Sequence, residues 1–189
     1  MKALNEVEWG EFYIKDVFSK IQRGKRLKTE DHIKGYIPYV SSTAMCNGVD
    51  SFIGNEEGVR VFRDCLTLAN SGSVGATFYH PYSFVASDHV TELSKNELTK
   101  YTYLFIATIV SRIASKYSFN REVNDKRIQK EKILLPITKE GSPDYVFMEE
   151  YMKEKERVIL LQYKQYLSDL IDNQQITMGG VNLNNKIHY

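Results

Sequence analysis

No lysine in this chain follows an aspartate or glutamate two positions earlier. That spacing sets a carboxylate and an ammonium around a magnesium ion and its water, so its absence excludes the common metal-dependent nuclease site. The glycine-rich cofactor loop and the Asn-Pro-Pro-aromatic or Pro-Cys site of a base methyltransferase are missing too. Four histidines, His32, His80, His89 and His188, lie scattered, without the His/His or Cys/His spacing of a metal site. Catalytic residues, metal and cofactor are therefore each expected to be none. Cysteine is scarce. Cys46 and Cys65 form no Cys-x-x-Cys pair and are expected to be free buried thiols in a reducing cytoplasm. No apolar run of about eighteen residues occurs, and the opening MKALNEVEWGEF has no apolar segment of signal-peptide length. A soluble, cytoplasmic chain without membrane contact is expected. An excess of one charge is also lacking, since 25 Lys and Arg face 24 Asp and Glu. Any surface for a polyanion must then be local.

One stretch resembles a phosphate cradle at first sight: LTLANSGSVGATFYH, Leu66 to His80. A phosphate loop needs a helix start behind its glycines and usually a lysine. Here no Lys or Arg occurs between Arg63 and Lys95, and the residues after Gly75 are aromatic and β-branched. They read as another strand. A nucleophile elbow at Ser73 needs glycine two positions before and after, but Ser71 occupies the first place. Gly72 and Gly75 are expected to supply positive φ in a turn between strands. Asp88 and His89 are sequence neighbours, and neighbours on a strand point to opposite faces, so no dyad is expected there.

The fold class expected is α+β. Residues 7–23 suggest a strand and a short helical turn. Residues 24–35, GKRLKTEDHIKG, form a polar, basic loop. Residues 36–54 hold two strands with Asn47-Gly48 as the hairpin signal. Strands and turns alternate from Val59 to Leu93. Residues 99–117 read as one amphipathic helix, with Leu104, Ala107, Thr108, Ser111, Ala114 and Ser115 on its packed face and Arg112 and Lys116 toward water. KILLPI, residues 132–137, is expected to be a short buried strand that stops at Pro136.

The last third differs. From Asp144 to Gln174 there is no glycine or proline. Asp144 is a plausible N-cap. Met148, Met152, Ile159, Tyr163, Tyr166 and Leu170 recur at three-, four- and seven-residue steps, the spacing of a helix seam. The expected organisation is a compact β-rich body with short helices over 1–143, one long helix over 144–172 that forms a coiled coil, and a polar tail over 173–189.

Charge is patterned along the chain. Ser19 to Lys34 holds six basic residues against two acidic ones, and Arg112 to Lys132 holds seven against three. Lys139 to Asp172 holds five against eight. Basic loops mixed with polar and aromatic residues suit a nucleic-acid face, where Lys and Arg fix phosphates and Asn, Ser or Arg read base edges.

The order of EWGEFYIKDVF, GKRL, GYIPYVSSTAMCNGVDSFI, NSGSVGATFYHPYSFVASDHVTEL, KYSFN and KILLPITKEGSPDYVFMEEYM resembles the target-recognition half of a specificity (S) subunit of type I restriction–modification systems. It is similar also to the recognition domains of type IIB and IIG systems. The resemblance spans about residues 8–172. It implies a non-catalytic subunit that reads double-stranded DNA at a bipartite site and holds methyltransferase (modification) and restriction subunits. A full subunit of that family has two recognition domains and two spacer helices, whereas one of each and no repeat is present here. A half-subunit that forms a homodimer through its C-terminal helix is therefore expected. Lys25, Arg26, Lys28, Asn120, Arg121, Lys126 and Arg127 are expected on one DNA-binding face, with Ser41, Ser42 and Asn47 near base edges. An assembly or inhibitor protein with the same fold but no DNA readout is the alternative. A small hydrolase built on Ser73 or on Asp88 and His89 is a third.

Overall fold

The computed structural model describes residues 2–117 and 123–179. The chain divides into two units, one running to Met152 and one from Lys153 onward. The first begins with β1 (Trp9–Tyr13) and the single-turn helix α1 (Ile14–Val17). Eight further strands follow: β2 (Lys20–Arg23), β3 (Lys34–Val40), β4 (Val49–Ile53), β5 (Val61–Phe62), β6 (Cys65–Ala69), β7 (Thr77–His80), β8 (Phe84–Ala86) and β9 (Val90–Ser94). Helix α2 (Lys100–Val110), a 3₁₀ turn (Ser111–Lys116), the short α3 (Asp125–Ile128) and β10 (Lys132–Pro136) complete the body before α4 (Tyr145–Gly179).

Two four-stranded sheets carry the fold. One has the order β2-β9-β6-β7 and is antiparallel throughout. The other has the order β4-β3-β8-β5, with β3 and β8 parallel. Strands β1 and β10 form a separate antiparallel pair. All five residues of β6 are buried, because both of its faces are covered. Leu66 and Leu68, with Leu93 of β9, join Tyr103, Ile106 and Val110 of α2 in the main core. Cys65 and Val90 instead join Val40, Phe62, Phe84 and Ala86 of the second sheet. Burial of these apolar side chains is the dominant favourable term of the body.

The expected turn around Gly72 and Gly75 is present. It joins β6 to β7, and the two glycines have φ of 57° and 86°. Asn47-Gly48 likewise ends the connection between β3 and β4, with φ of 54° and 82°. Three expectations are corrected. Strand β10 is half-buried, because its partner β1 covers one edge and Leu134 faces outward. Helix α2 ends at Val110 and buries its large side chains, Tyr103, Phe105, Ile106 and Ile109. Thr108 and Ser115 are exposed, because bulky apolar groups outweigh small polar ones for the buried face. Cys65 is buried and Cys46 is exposed in a left-handed conformation, so the thiols are not a buried pair.

Asp144 caps α4, its carboxylate accepting from Phe147 N–H at 2.9 Å. The first two turns then belong to the body. Phe147 and Met148 are buried in the main core, and Tyr151 and Met152 pack against it. Met148 and Met152 are therefore body residues rather than members of a dimer seam, and the body extends to Met152 rather than 143. The second unit is exposed from Val158 to Ile171. Its helix continues to Gly179, past the expected end at 172, and residues 180–189 lie outside the described residues. Among the described residues no helix is long and apolar enough to cross a membrane.

Candidate nucleic-acid interface

Five segments converge at one end of the two sheets. The chain leaving β2 turns at Gly24, whose N–H donates to Val90 O at 2.9 Å, and Lys25 N–H donates to Ala86 O at 3.1 Å. A side chain at Gly24 is impossible without movement, because a Cβ would lie 2.2 Å from both Ala86 O and Ser87 O. Ser87 N–H donates to Val40 O at the end of β3. The loop 41–48 closes through Ser41 N–H to Gly48 O at 2.9 Å. It is stitched to the β6–β7 turn twice: Ser73 N–H donates to Ser42 O at 2.9 Å, and Ala44 N–H donates to Ser73 Oγ at 3.1 Å. Asn70 then ties that turn to its neighbours. Its N–H donates to His89 O at 2.8 Å and its carbonyl accepts from Val123 N–H at 3.1 Å. Arg23 Nε meets Asp125 at 3.1 Å, which draws α3 to the same rim.

Several of the residues expected on a DNA face lie on or next to these segments. Lys25, Arg26 and Lys28 are exposed on the first segment. Lys28 pairs with Glu30 at 2.9 Å. Ser41 and Ser42 are half-buried at the start of the second segment, and Asn47 is exposed at its end. Asn47 opens on a cleft of about 440 Å³ shared with Phe78, Leu104 and Thr108. Lys126 and Arg127 are exposed on α3, which Asn124 caps through Arg127 N–H at 3.0 Å. Lys126 lines a further cleft with Tyr13, Lys15 and Lys130, so the basic surface there includes Lys15. Asn120 and Arg121 lie outside the described residues. The basic stretch Arg112–Lys132 does not act as one face. Lys116 pairs with Glu131 and Lys132 with Glu11, each at 2.8 Å, beside β1 and β10.

Sequence reasoning missed three rim residues. Arg60 is exposed and donates to Arg23 O at 2.6 Å. Ser71 Oγ lies 2.8 Å from His89 Nδ1. No local signal marks either contact, since each depends on strand pairing far along the chain. The hydrolase reading loses its parts here. Ser73 Oγ accepts from Ala44 N–H and serves the turn, and His89 faces Ser71. His80 is buried between Thr67 Oγ1 at 3.0 Å and Tyr82 Oη at 3.1 Å, and burial lowers its pKa to about 4. It is a neutral structural group. Burial likewise drives the Cys65 thiol far above its usual range, which makes it inert. Among the described residues no cluster of His, Cys, Asp and Glu has the makings of a metal site.

A two-sheet body with a rim of basic and polar loops, followed by a long helix, defines a nucleic-acid-recognition class of fold. The family model of the type I restriction modification DNA specificity domain matches residues 6–163. The chain belongs to that family. It is 32% identical over 162 residues to the type II restriction enzyme specificity subunit S.BcgI of Heyndrickxia coagulans, covering 85% of this chain and 47% of that protein. Its fold is similar to that of the type I restriction–modification S subunit of M. genitalium, with a TM-score of 0.55, 18% identity, and 92% and 45% of the two chains covered. The HsdS subunit of Thermoanaerobacter tengcongensis matches with a TM-score of 0.57 at 15% identity, over 83% and 40% of the two chains. The chain thus spans about half the length of these relatives.

Proposed function

We propose that this chain is a non-catalytic, sequence-specific DNA recognition subunit of a restriction–modification system. In this reading the rim contacts double-stranded DNA, with Lys25, Arg26, Lys28, Lys126 and Arg127 on phosphates and Ser41, Ser42 and Asn47 near base edges. Asn120 and Arg121, outside the described residues, are assigned to DNA contact from the sequence alone. The observation that carries the proposal is the convergence of five loop segments on one rim within this family's fold. Loops held at one edge by a rigid scaffold are where binding residues concentrate. The missing nuclease and methyltransferase spacings support a subunit that directs methyltransferase and restriction subunits to a bipartite cytoplasmic target without itself reacting.

The exposed part of α4 serves association in this proposal. Ile159, Tyr163, Tyr166 and Leu170 share one face and are all exposed. A second copy of that helix, running antiparallel, would cover the stripe and join two recognition bodies by two-fold symmetry. The target of such a homodimer is palindromic with a fixed gap.

Selection of bound duplexes from a randomised library tests the reading. A recovered consensus supports it. Binding that follows salt alone, with no consensus, favours the assembly or inhibitor reading. Cleavage or methylation by the pure chain, abolished by a point change in it, overturns the non-catalytic role.

A further inference from the structure

The geometry points to His89 as a base-edge reader whose ring is set by Ser71 and whose backbone is set by Asn70. This rests on the DNA-recognition reading above and assigns a residue to the discrimination step.

Three contacts fix His89. Its N–H donates to Ser87 Oγ at 3.2 Å. Its carbonyl accepts from Asn70 N–H at 2.8 Å. Ser71 Oγ lies 2.8 Å from its Nδ1. Asn70 is itself fully buried, and its side-chain oxygen accepts from Thr91 Oγ1 at 3.0 Å. The loop bearing the imidazole is therefore anchored to the core from two sides. The ring itself is exposed, and Nε2 has no partner among the described residues. Such rigidity lowers the entropy lost when a side chain engages a ligand.

Its place on the rim matters as much. The segment Ala86–Val90 runs between Gly24–Lys25 on one side and the β6–β7 turn on the other. Lys25 is thus one flank, while Gly72, stacked against Ser42, forms the other. A duplex whose phosphates engage the basic flank would present a groove to the middle of the rim, where the exposed His89 ring lies.

The chemistry of Nε2 depends on the Ser71 hydroxyl, which donates or accepts equally well. When Ser71 donates to Nδ1, Nε2 carries the proton and suits guanine N7 or O6. When Ser71 accepts from Nδ1–H, Nε2 is an acceptor and suits adenine N6 or cytosine N4. In both states the contact distinguishes bases. Catalysis does not fit the pair, because a general base on Nε2 would face the serine there and be oriented by a carboxylate on Nδ1.

The experiment compares selected consensus sequences for the full chain and for His89→Ala, Ser71→Ala and Lys25→Ala. His89 is exposed, so its loss leaves the core intact. His89→Ala is expected to lose about tenfold discrimination at one base pair, the low end for a base-edge contact. Ser71→Ala is expected to weaken discrimination at that same base pair. A packing role would not single out one shared position. Lys25→Ala is expected to leave the consensus unchanged. The inference is overturned if His89→Ala keeps the parent consensus, or if it weakens all sequences alike with a shallower salt dependence, which marks a phosphate contact. An unmutated chain that selects no consensus overturns the recognition reading as well, whereas a parent consensus untouched by His89→Ala overturns this assignment alone.

Discussion

Gly75 packs against Ala114 so closely that a Cβ on the glycine would sit 2.6 Å from the Ala114 Cβ and 2.8 Å from its Cα. The turn between β6 and β7 is thereby seated directly on the 3₁₀ turn that ends α2. With φ of 86°, Gly75 is also in a conformation that disfavours any side chain. Gly75→Ala should cost roughly 2–4 kcal/mol from strain and overpacking together. Gly58 is the control. It has φ of 73° but nothing within 4 Å of its added Cβ, so Gly58→Ala should cost only about 1 kcal/mol. Thermal or urea unfolding of the two variants checks the difference. Equal losses would mean that the contact with Ala114 contributes nothing.

Lys25 and Lys28 should behave differently toward DNA. Lys25 is exposed and has no ion pair among the described residues, whereas Lys28 is held by Glu30 at 2.9 Å. A phosphate contact contributes about −0.9 to the slope of log K against log salt. Lys25→Ala should flatten the slope by about one and weaken all sequences alike. Lys28→Ala should do less, because that ammonium must first leave Glu30. Titration at several salt concentrations measures both slopes. Identical slopes for the parent and Lys25→Ala would place the phosphate contacts elsewhere.

Stability should fall in mild acid because of His80. Its folded pKa lies near 4 against about 6.5 for a free imidazole, since the buried ring resists charge. Between those values the unfolded chain binds a proton that the folded chain does not. Stability therefore rises with pH in that window, and it is lost as pH drops from about 6.5 toward 4. The loss from this group approaches about 3 kcal/mol at the acid end. Urea midpoints between pH 7 and 5 check it. His80→Gln should lower stability at pH 7 by leaving Thr67 or Tyr82 poorly paired, yet flatten the pH dependence. An unchanged slope in that variant would assign the acid sensitivity to other groups.

The turns were legible because their determinants are local. Gly72, Gly75 and Asn47-Gly48 advertise positive φ, and Asp144 advertises a cap three residues before the N–H it accepts from. What joins the turns was not legible. The bonds from Gly24 and Lys25 to Val90 and Ala86 depend on β2 pairing with β9 and on where β8 lies. The parallel pairing of β3 with β8 has no local signature either. Ser71 and His89 stand 18 residues apart and meet only because β6 and β9 are adjacent. The helix seam was legible only in part. Periodicity marks Met148, Met152, Ile159, Tyr163, Tyr166 and Leu170 as one face, but it does not say which partner covers each part. The body takes Met148 and Met152 because Phe105 and its neighbours offer the nearest apolar surface.

That division of the face separates folding from association. Met148 is fully buried in the body, so Met148→Ala should cost about 2–5 kcal/mol in unfolding. Ile159 and Tyr163 belong to the second unit and are 62% and 56% exposed, so changing them should leave the body's unfolding midpoint unaltered. Replacing both with Glu would place charge in the proposed seam, at a cost of several kcal/mol to association. Sedimentation should then shift from dimer to monomer. Specific DNA binding should weaken far more than one lost contact explains, because one half-site is released with the partner copy. From Lys153 to Asp172 four basic residues face four acidic ones, so net charge does not oppose the apolar stripe. High salt should accordingly leave the dimer nearly unchanged while it loosens the DNA complex. An unmutated chain that sediments as a monomer even at high concentration would rule out self-association, and the stripe would then await a helix of a modification subunit.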